Sequence, residues 1–487
     1  LYSSLESFQS CFYRFTVVYD NKPMGPIEGN AWTWLDRSAV GVRVAKRRLK
    51  NVRILNGTIR QGAGSDGGEA HGIGFSPIAS YGGCTGEIAG VTVEYHGSQL
   101  CGMHLSYGPD YEVHHNVVVD KGTAVTNRHQ GIQGIVGVPR IHHNLLKRVR
   151  QRGLTGKNGS EYAHNEIYVD SCCTNAFGIM YYATQGALCR GNRIFGRGYL
   201  AIGIGTVSKG VADIKVHRNF IHLQAHKPST RWAEYGAQSG AYCVRVTWGG
   251  ENIEYADNVF ITKGRDGGMV RGVWFCPDKH ITNVTFRRNI IKAIAQNDAT
   301  DRRGAIVVCG KPQKDVAPGL FEDNRIISNF CHVLLGENYG AGNNARFVRN
   351  TFVRTGDLDR YRLVQCGFWH WPNAGSVFID SAFEGDAGYD KAKFIGTGER
   401  GFSVGWTLTV KTAPGAVVTI ADKAGKQVFA TEADAKGIVR AELLQYTQQP
   451  DGRQTLTPHA VMAAKGGKTA RATVTMDAPK AIDLPVE

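Results

Sequence analysis

The sequence has no run of about 18 apolar residues, the length a membrane-crossing helix requires. It also lacks long stretches rich in Ala, Glu, Lys and Leu over most of its length, which argues against a helical bundle. No strict Gly-X-Y period accompanies its 61 glycines, so a collagen-like chain is excluded. There is no CxxC pair with metal-binding flanks, and 11 cysteines in 487 residues are odd in number and too sparse for a disulfide framework. The adjacent Cys172 and Cys173 cannot both point inward from a regular strand. None of the short nucleic-acid-binding modules appears. Charged residues at 20% and hydrophobic residues at 42% exclude wholesale disorder.

What is present is strand after short strand, separated by Asn, Asp and Gly. The strongest signal is an asparagine followed by a short β run. It appears as Asn116-Val-Val-Val, Asn144-Leu-Leu, Asn165-Glu-Ile-Tyr-Val, Asn192-Arg-Ile-Phe and Asn219-Phe-Ile-His, then at Asn258, Asn289, Asn324 and Asn350. The intervals are 28, 21, 27, 27, 39, 31, 35 and 26 residues, about one solenoid turn of three strands and three bends. Asn51 and Asn56 mark the opening coils. A coil cannot bury its inward face alone; stacking at about 4.8 Å joins the inward side chains into one column. An Asn at each bend can bond backbone groups of its own and neighbouring coils and tolerates a left-handed conformation, so these residues are read as a structural ladder.

A second strand per coil shows as Gly-Ile-Gln-Gly-Ile at 131–135, Phe-Gly-Ile-Met-Tyr-Tyr at 177–182 and Tyr-Cys-Val-Arg-Val at 242–246, with later versions near 269, 305, 332 and 363. Cys243, Cys309, Cys331 and Cys366 lie in or beside these runs as small buried hydrophobes. The pattern changes near residue 402. Trp406-Thr-Leu-Thr-Val, Ala416-Val-Val-Thr-Ile, Gly437-Ile-Val-Arg-Ala and His459-Ala-Val-Met-Ala read as antiparallel strands joined by Asp/Lys/Gly turns. The expected architecture is therefore all-β: a right-handed parallel β-helix over residues 1–400 and a small antiparallel β-sandwich over 401–487, the latter in a capping and packing role.

The Asn-punctuated coils from 116 to 353 resemble the parallel β-helix repeat of the pectate-lyase-like superfamily, over roughly four fifths of the chain. That superfamily includes polysaccharide lyases, glycoside hydrolases, uronate epimerases, esterases and phage tailspikes. The C-terminal segment looks like the small β-sandwiches attached to secreted bacterial hydrolases. The resemblance implies a carbohydrate-active, secreted or periplasmic bacterial protein whose signal peptide has been removed, or a truncated N-terminus. The Asn-x-Asp and paired Asp-Asp of polygalacturonases, the Asp-Pro-His-Asp of alginate epimerases and a calcium cluster of the pectate-lyase kind are missing from this sequence. The likeness thus points to a fold and a substrate class, and to no single reaction.

The formal net charge of +15, spread along the repeats, suits a polyanionic glycan better than a nucleic acid; a basic solvated surface is the plain alternative. A lyase acting on a uronate needs a cation or proton donor at the carboxylate, a base for the C5 proton and an acid for the leaving oxygen, and needs no metal. His104 or His129 is the expected base and Tyr181 or Tyr107 the expected acid, with Arg128 and Arg152 on the same flank. The pairs His114-His115 and His142-His143 recur at the same place in successive coils, each just before a ladder Asn, which speaks for repeat architecture over a metal site. Arg245 and Trp248 recur as Arg271 and Trp274, both at one and the same spacing close to a coil length. One coil apart, the two arginines are expected to stack on an outward face with the tryptophans beside them, gripping acidic groups and packing sugar rings; cation–π packing and loop anchoring is the other reading. Gly367-Phe-Trp-His-Trp-Pro extends the same wall. For hydrolysis Glu234, in the insertion between Asn219 and Asn258, is the best single acid.

These features favour a polysaccharide lyase acting on an acidic glycan without cofactor or metal, in a monomer. A glycoside hydrolase is the second reading, and a non-catalytic glycan-binding or tailspike-like protein the third.

Overall fold

The computed structural model describes residues 11–12, 16–19, 42–44, 51–61, 78–80, 85–95, 101–105, 110–122, 130–134, 140–156, 158–171, 176–198, 200–207, 210–226, 240–247, 249–265, 268–276, 281–296, 304–312, 317–342, 344–356, 358–367 and 373–486. They form a right-handed parallel β-helix followed by a small antiparallel β-sandwich. Each rung gives one strand to each of three parallel sheets, here A, B and C. Glu161–Ala163, Glu166–Ser171 and Ala176–Tyr181 make one rung; Gln185–Arg190, Arg193–Gly198 and Leu200–Thr206 make the next. Tyr162 then lies opposite Cys189, Ile167 opposite Ile194 and Ile179 opposite Ile204. Among the described residues sheets B and C hold 13 strands each.

The asparagine ladder lies at the bend from sheet A to sheet B. Asn144 donates its backbone N–H (3.1 Å) and side-chain amide (3.0 Å) to Oδ1 of Asn165, and the same amide reaches the Val113 carbonyl at 2.8 Å. The Asn-to-Asn pattern repeats from Asn116 to Asn350, and all these side chains are buried. The left-handed residue of the bend is the one before each Asn: His115 (φ 54°), His143 (53°), His164 (55°), Gly191 (62°), Arg218 (55°), Asp257 (58°), Arg288 (51°), Asp323 (54°) and Arg349 (51°). The ladder Asn itself keeps ordinary backbone, so it is held there by its buried hydrogen bonds and not by tolerance of positive φ. Asn56 (φ 52°) does adopt that conformation, at the position of Gly90 in the next rung.

Inside sheet A an aromatic column runs Tyr255, Phe286, Phe321, Phe347, Phe378, with successive centroids 4.6, 4.6, 5.0 and 4.5 Å apart and near-parallel rings. The described free cysteines Cys101, Cys189, Cys243, Cys276, Cys331 and Cys366 are all buried, as small residues within the stack. Cys309 falls where side chains lie outside the described residues.

Sheets B and C differ in a way that decides where chemistry can occur. In sheet B burial alternates, as in Phe220–Ala225, so one face packs on the core and the other meets solvent. In sheet C whole strands such as Gly240–Thr247 and Val270–Cys276 are buried on both faces.

Strand Asn373–Ile379 pairs in parallel with the long strand Arg400–Lys411, which pairs antiparallel with Ile438–Gln449. One strand thus closes the last rung and opens the C-terminal unit. That unit has its own core around Leu408, Val410, Val418, Ile420, Val461 and Met476, and a four-stranded sheet of Gln427–Glu432, Val417–Ala421, His459–Lys465 and Lys468–Val474. Asp380 ties the two together, accepting from the Thr407 N–H at 2.8 Å and its hydroxyl at 2.5 Å.

Candidate functional site

Sheet C carries a repeated kink. Pairing passes from Arg152–Phe177 directly to Leu154–Ile179, skipping Gly153 and Gly178, and the same skip recurs at Gly131, Gly203, Cys243 and Gly272. A Cβ on Gly153 would stand 2.4 Å from the Gly178 carbonyl oxygen, and one on Gly203 2.6 Å from that of Cys243. Small residues let adjoining rungs close up here, which accounts for part of the glycine excess.

Beyond the kink, inward and outward positions are fixed by contacts. Phe275 packs edge-on against Phe286 and Phe321 of sheet A, so Trp274 beside it points away from the core. The Cys243 thiol lies 3.8 Å from the Ile221 carbonyl of sheet B, so Tyr242 also points outward. Two outer columns result. In one, Arg152, Phe177, Ile202, Tyr242, Arg271 and Gly304 follow in register. In the other, His104, Gln133, Thr155, Met180, Gly205, Arg245, Trp274 and Val307 do so.

Register corrects the expected stacking of the arginines. Tyr242 faces Arg271 and Arg245 faces Trp274, so the rung here is longer than the spacing between the two arginines. The arginines therefore sit in different columns, and each lies over an aromatic ring. The Arg245 guanidinium is 4.7 Å from the Trp274 centroid, and that of Arg271 is 5.1 Å from Tyr242 and donates to its hydroxyl at 3.1 Å. Tyr242 and Trp274 stack at 5.1 Å. All four side chains are buried. Cation–π pairing removes the like-charge repulsion that direct stacking would bring.

No family model matches the chain, and no curated protein does. Among solved structures, the tailspike of Pseudomonas phage phi297 is similar at 11% identity and a TM-score of 0.32, covering 78% of this chain and 66% of its own. The tailspike of Escherichia coli bacteriophage HK620, in complex with a pentasaccharide, is similar at 12% identity and a TM-score of 0.38, covering 95% and 80%. Likenesses of this size assign neither a substrate nor a reaction.

Further along the same face the surface opens. His332, Tyr361 and Arg362 lead to a cleft of about 570 Å³ lined by Asp359, Arg360, Tyr361, Arg362, Lys391 and Lys393. The Tyr361 hydroxyl lies 3.2 Å from His332 Nδ1, its ring is under the Arg354 guanidinium at 4.3 Å, and Arg362 donates to the Arg360 carbonyl at 3.0 Å. Lys391 is held by Asp386 at 3.3 Å and Asp390 at 3.5 Å. Burial raises the Tyr361 phenol. Arg362 and Lys393 continue the two outer columns, through the pairs Cys331–Arg362 and Gln365–Lys393. Sequence reading misses this cleft; the Arg-Tyr-Arg run at 360–362 is its available signal.

The expected site residues fare differently. His104 and Arg152 do share the outer face. His104 is buried, and burial pushes its pKa down to about 4, only partly offset by a hydrogen bond with Gln133. Gln133 Oε1 also accepts from the Cys101 thiol at 2.9 Å. Tyr181 is corrected: it points inward, stacks on Tyr162 at 5.7 Å, and burial holds its phenol protonated. Strand alternation gives the outward position to Met180, so Tyr181 cannot serve as an acid in a groove. Tyr107, Arg128, His129, Glu234, Trp248 and the Phe368–Pro372 segment lie outside the described residues.

The histidine pairs form an external ladder at the sheet A bend. His114 stacks on His142 at 5.0 Å and His115 on His143 at 5.2 Å, with Glu87 and Glu112 at 3.1 and 3.0 Å from the outer ring nitrogens of His114 and His142. Among the described residues no group of three or more donors is placed to hold a metal ion.

Proposed function

We propose that the chain binds an anionic, uronate-containing polysaccharide at the Tyr361–Lys393 cleft, where the outer face of sheet C opens to solvent. The observation that carries this reading is the set of cations lining that cleft: Arg360, Arg362, Lys391 and Lys393. The described strand positions of the two outer columns, from Cys101 to Lys393, hold no carboxylate. Planar guanidinium forks suit carboxylates. The net charge of +15 adds long-range attraction for such a polymer.

A second reading is β-elimination, for which the cations of the cleft, Arg360, Arg362 and Lys393, supply positive charge beside a uronate carboxylate. Buried His104, its pKa pushed down to about 4, is too shielded and too weakly basic to serve as the base. An arginine neutralising the uronate carboxylate would acidify the C5 proton, and the leaving oxygen takes its proton from a donor outside the described residues or from water. Among the described strand positions of the two outer columns no carboxylate pair stands, which makes hydrolysis the weaker alternative.

The test is a panel of acidic and neutral polysaccharides, scored in parallel for binding, for ultraviolet absorbance of an unsaturated product and for new reducing ends. Binding to acidic glycans supports the main reading; absorbance with new ends adds elimination, and ends without absorbance replace it by hydrolysis. Absence of binding to every acidic glycan contradicts the proposal.

A further inference from the structure

The outer face of sheet B carries a feature that the sheet C reading does not use. Phe220, Phe195 and Tyr168 form a short aromatic row that climbs toward the N-terminal rungs: Phe220 meets Phe195 at a 50° tilt with centroids 5.7 Å apart, and Phe195 stacks on Tyr168 at 5.5 Å. Tyr168 is 40% exposed, and among the described residues no ring covers its other face. Its hydroxyl donates to Glu166 at 2.5 Å, which fixes the ring.

The rung above Tyr168 is not regular. Leu146 pairs with Ile167 and Val149 with Val169, so Lys147 and Arg148 together oppose Tyr168 alone. This is a β-bulge, and Arg148 adopts φ 59° within it. A left-handed, non-glycine residue in a strand is costly, and bulges re-aim side chains. Here the bulge brings Arg148 to Asp170, 3.8 Å away, and Arg197 reaches the other oxygen of Asp170 at 3.7 Å. A cleft of about 300 Å³ opens between Tyr168, Arg148, Asp170, Arg197 and Gln224. Its floor is bare backbone at Gly196, where a Cβ would collide with the Val169 carbonyl oxygen at 2.3 Å. Two guanidiniums against one carboxylate leave a unit of positive charge. An exposed ring face beside hydrogen-bonding side chains is the arrangement that takes a sugar, and the surplus charge selects an acidic one.

We propose that this cleft is a separate carbohydrate subsite that takes one carboxylated pyranose, its ring lying on Tyr168 as the next layer of the stack and its carboxylate on Arg148 and Arg197. It lies on a different sheet from the cations of the sheet C cleft, and it stands or falls independently of them.

The experiment is saturation-transfer difference NMR on the full chain with D-galacturonate and D-glucuronate, and D-galactose as the neutral control. At least one uronate is expected to give signal, strongest on the protons of one ring face. Tyr168→Ser is expected to weaken that signal by about tenfold, the size of a lost stacking contact. Arg197→Gln, at a side chain 64% exposed, is expected to weaken it without touching the fold, and keeps the test alive if the Tyr168 variant is unstable. Arg471→Gln, at an exposed position of the C-terminal unit, is expected to leave it unchanged. No uronate signal, an unchanged signal in both sheet B variants, equal signal from galactose, or loss of the signal in Arg471→Gln would each overturn the proposal.

Discussion

Arg245 lies over the indole of Trp274, its partner in the next rung, at 4.7 Å, and both side chains are buried. A charged group is sustained there because the indole face, itself stacked on Tyr242, presents complementary partial charge to it. Trp274→Ala removes a fully buried ring and exposes the guanidinium to a void. The expected loss is about 3–5 kcal/mol, read as a lowered unfolding midpoint in urea. Trp274→Phe is expected to recover more than half of it by restoring a ring.

The asparagine ladder gives a sharper contrast. Asn192→Ala deletes the acceptor of two hydrogen bonds from Asn165 and the donor of one to Asn219, all buried. Destabilisation of about 2–4 kcal/mol is expected, because orphaned donors remain in the adjoining rung. Arg349→Gly, at the left-handed position just before Asn350, relieves positive φ but breaks the exposed contacts to Asp323 and Glu322. A change within about 1 kcal/mol is expected there. Similar midpoints for the two variants would mean that the ladder does not carry the bend.

Stability depends on pH through His104 and His332. Burial lowers both to about 4 from the ordinary 6.5, His332 despite its 2.9 Å contact with the Val353 carbonyl. Each is neutral in the folded chain while the unfolded chain binds a proton. The folded state is therefore favoured fully above about pH 6.5, and each histidine withdraws about 3 kcal/mol as pH falls from there to about 4. Unfolding midpoints measured across that range are expected to fall steadily. His332→Gln is expected to flatten the slope by about half; an unchanged slope contradicts this assignment.

The aromatic column of sheet A should behave as a continuous support. Phe321 sits between Phe286 and Phe347 with both neighbours stacked. Phe321→Ala is expected to lose about 3–5 kcal/mol, and Phe321→Leu about half as much. Equal losses for Leu and Ala in thermal unfolding would show that ring stacking adds nothing beyond volume.

The β-helix was legible because one position per rung, the ladder Asn, is fixed by hydrogen bonds that only that side chain makes in both directions. Its recurrence from Asn116 to Asn350 marks the rungs even where the interval between neighbours nearly doubles. The site was less legible because spacing alone does not say which outward residues meet. Loops of unequal length make the spacing from Arg245 to Arg271 look like one rung, although the rung there is longer and puts the two in different columns. Tyr181 is misread from sequence because a kink at Gly178 shifts the alternation, turning Tyr181 inward and Met180 outward. The Tyr361–Lys393 cleft joins residues of two rungs whose sequence separation carries no period.

The measurement closest to the central claim is the affinity of the full chain for polygalacturonate and for a neutral dextran at low and physiological salt, in the native protein and in an Arg362→Gln/Lys393→Gln pair. Two lost carboxylate contacts at the open cleft are expected to weaken polygalacturonate binding by roughly tenfold to a hundredfold, with a shallower salt dependence and no effect on dextran. Unchanged affinity for the acidic polymer in the double variant, or equal affinity for dextran in the native protein, would contradict a cation-lined glycan face on sheet C.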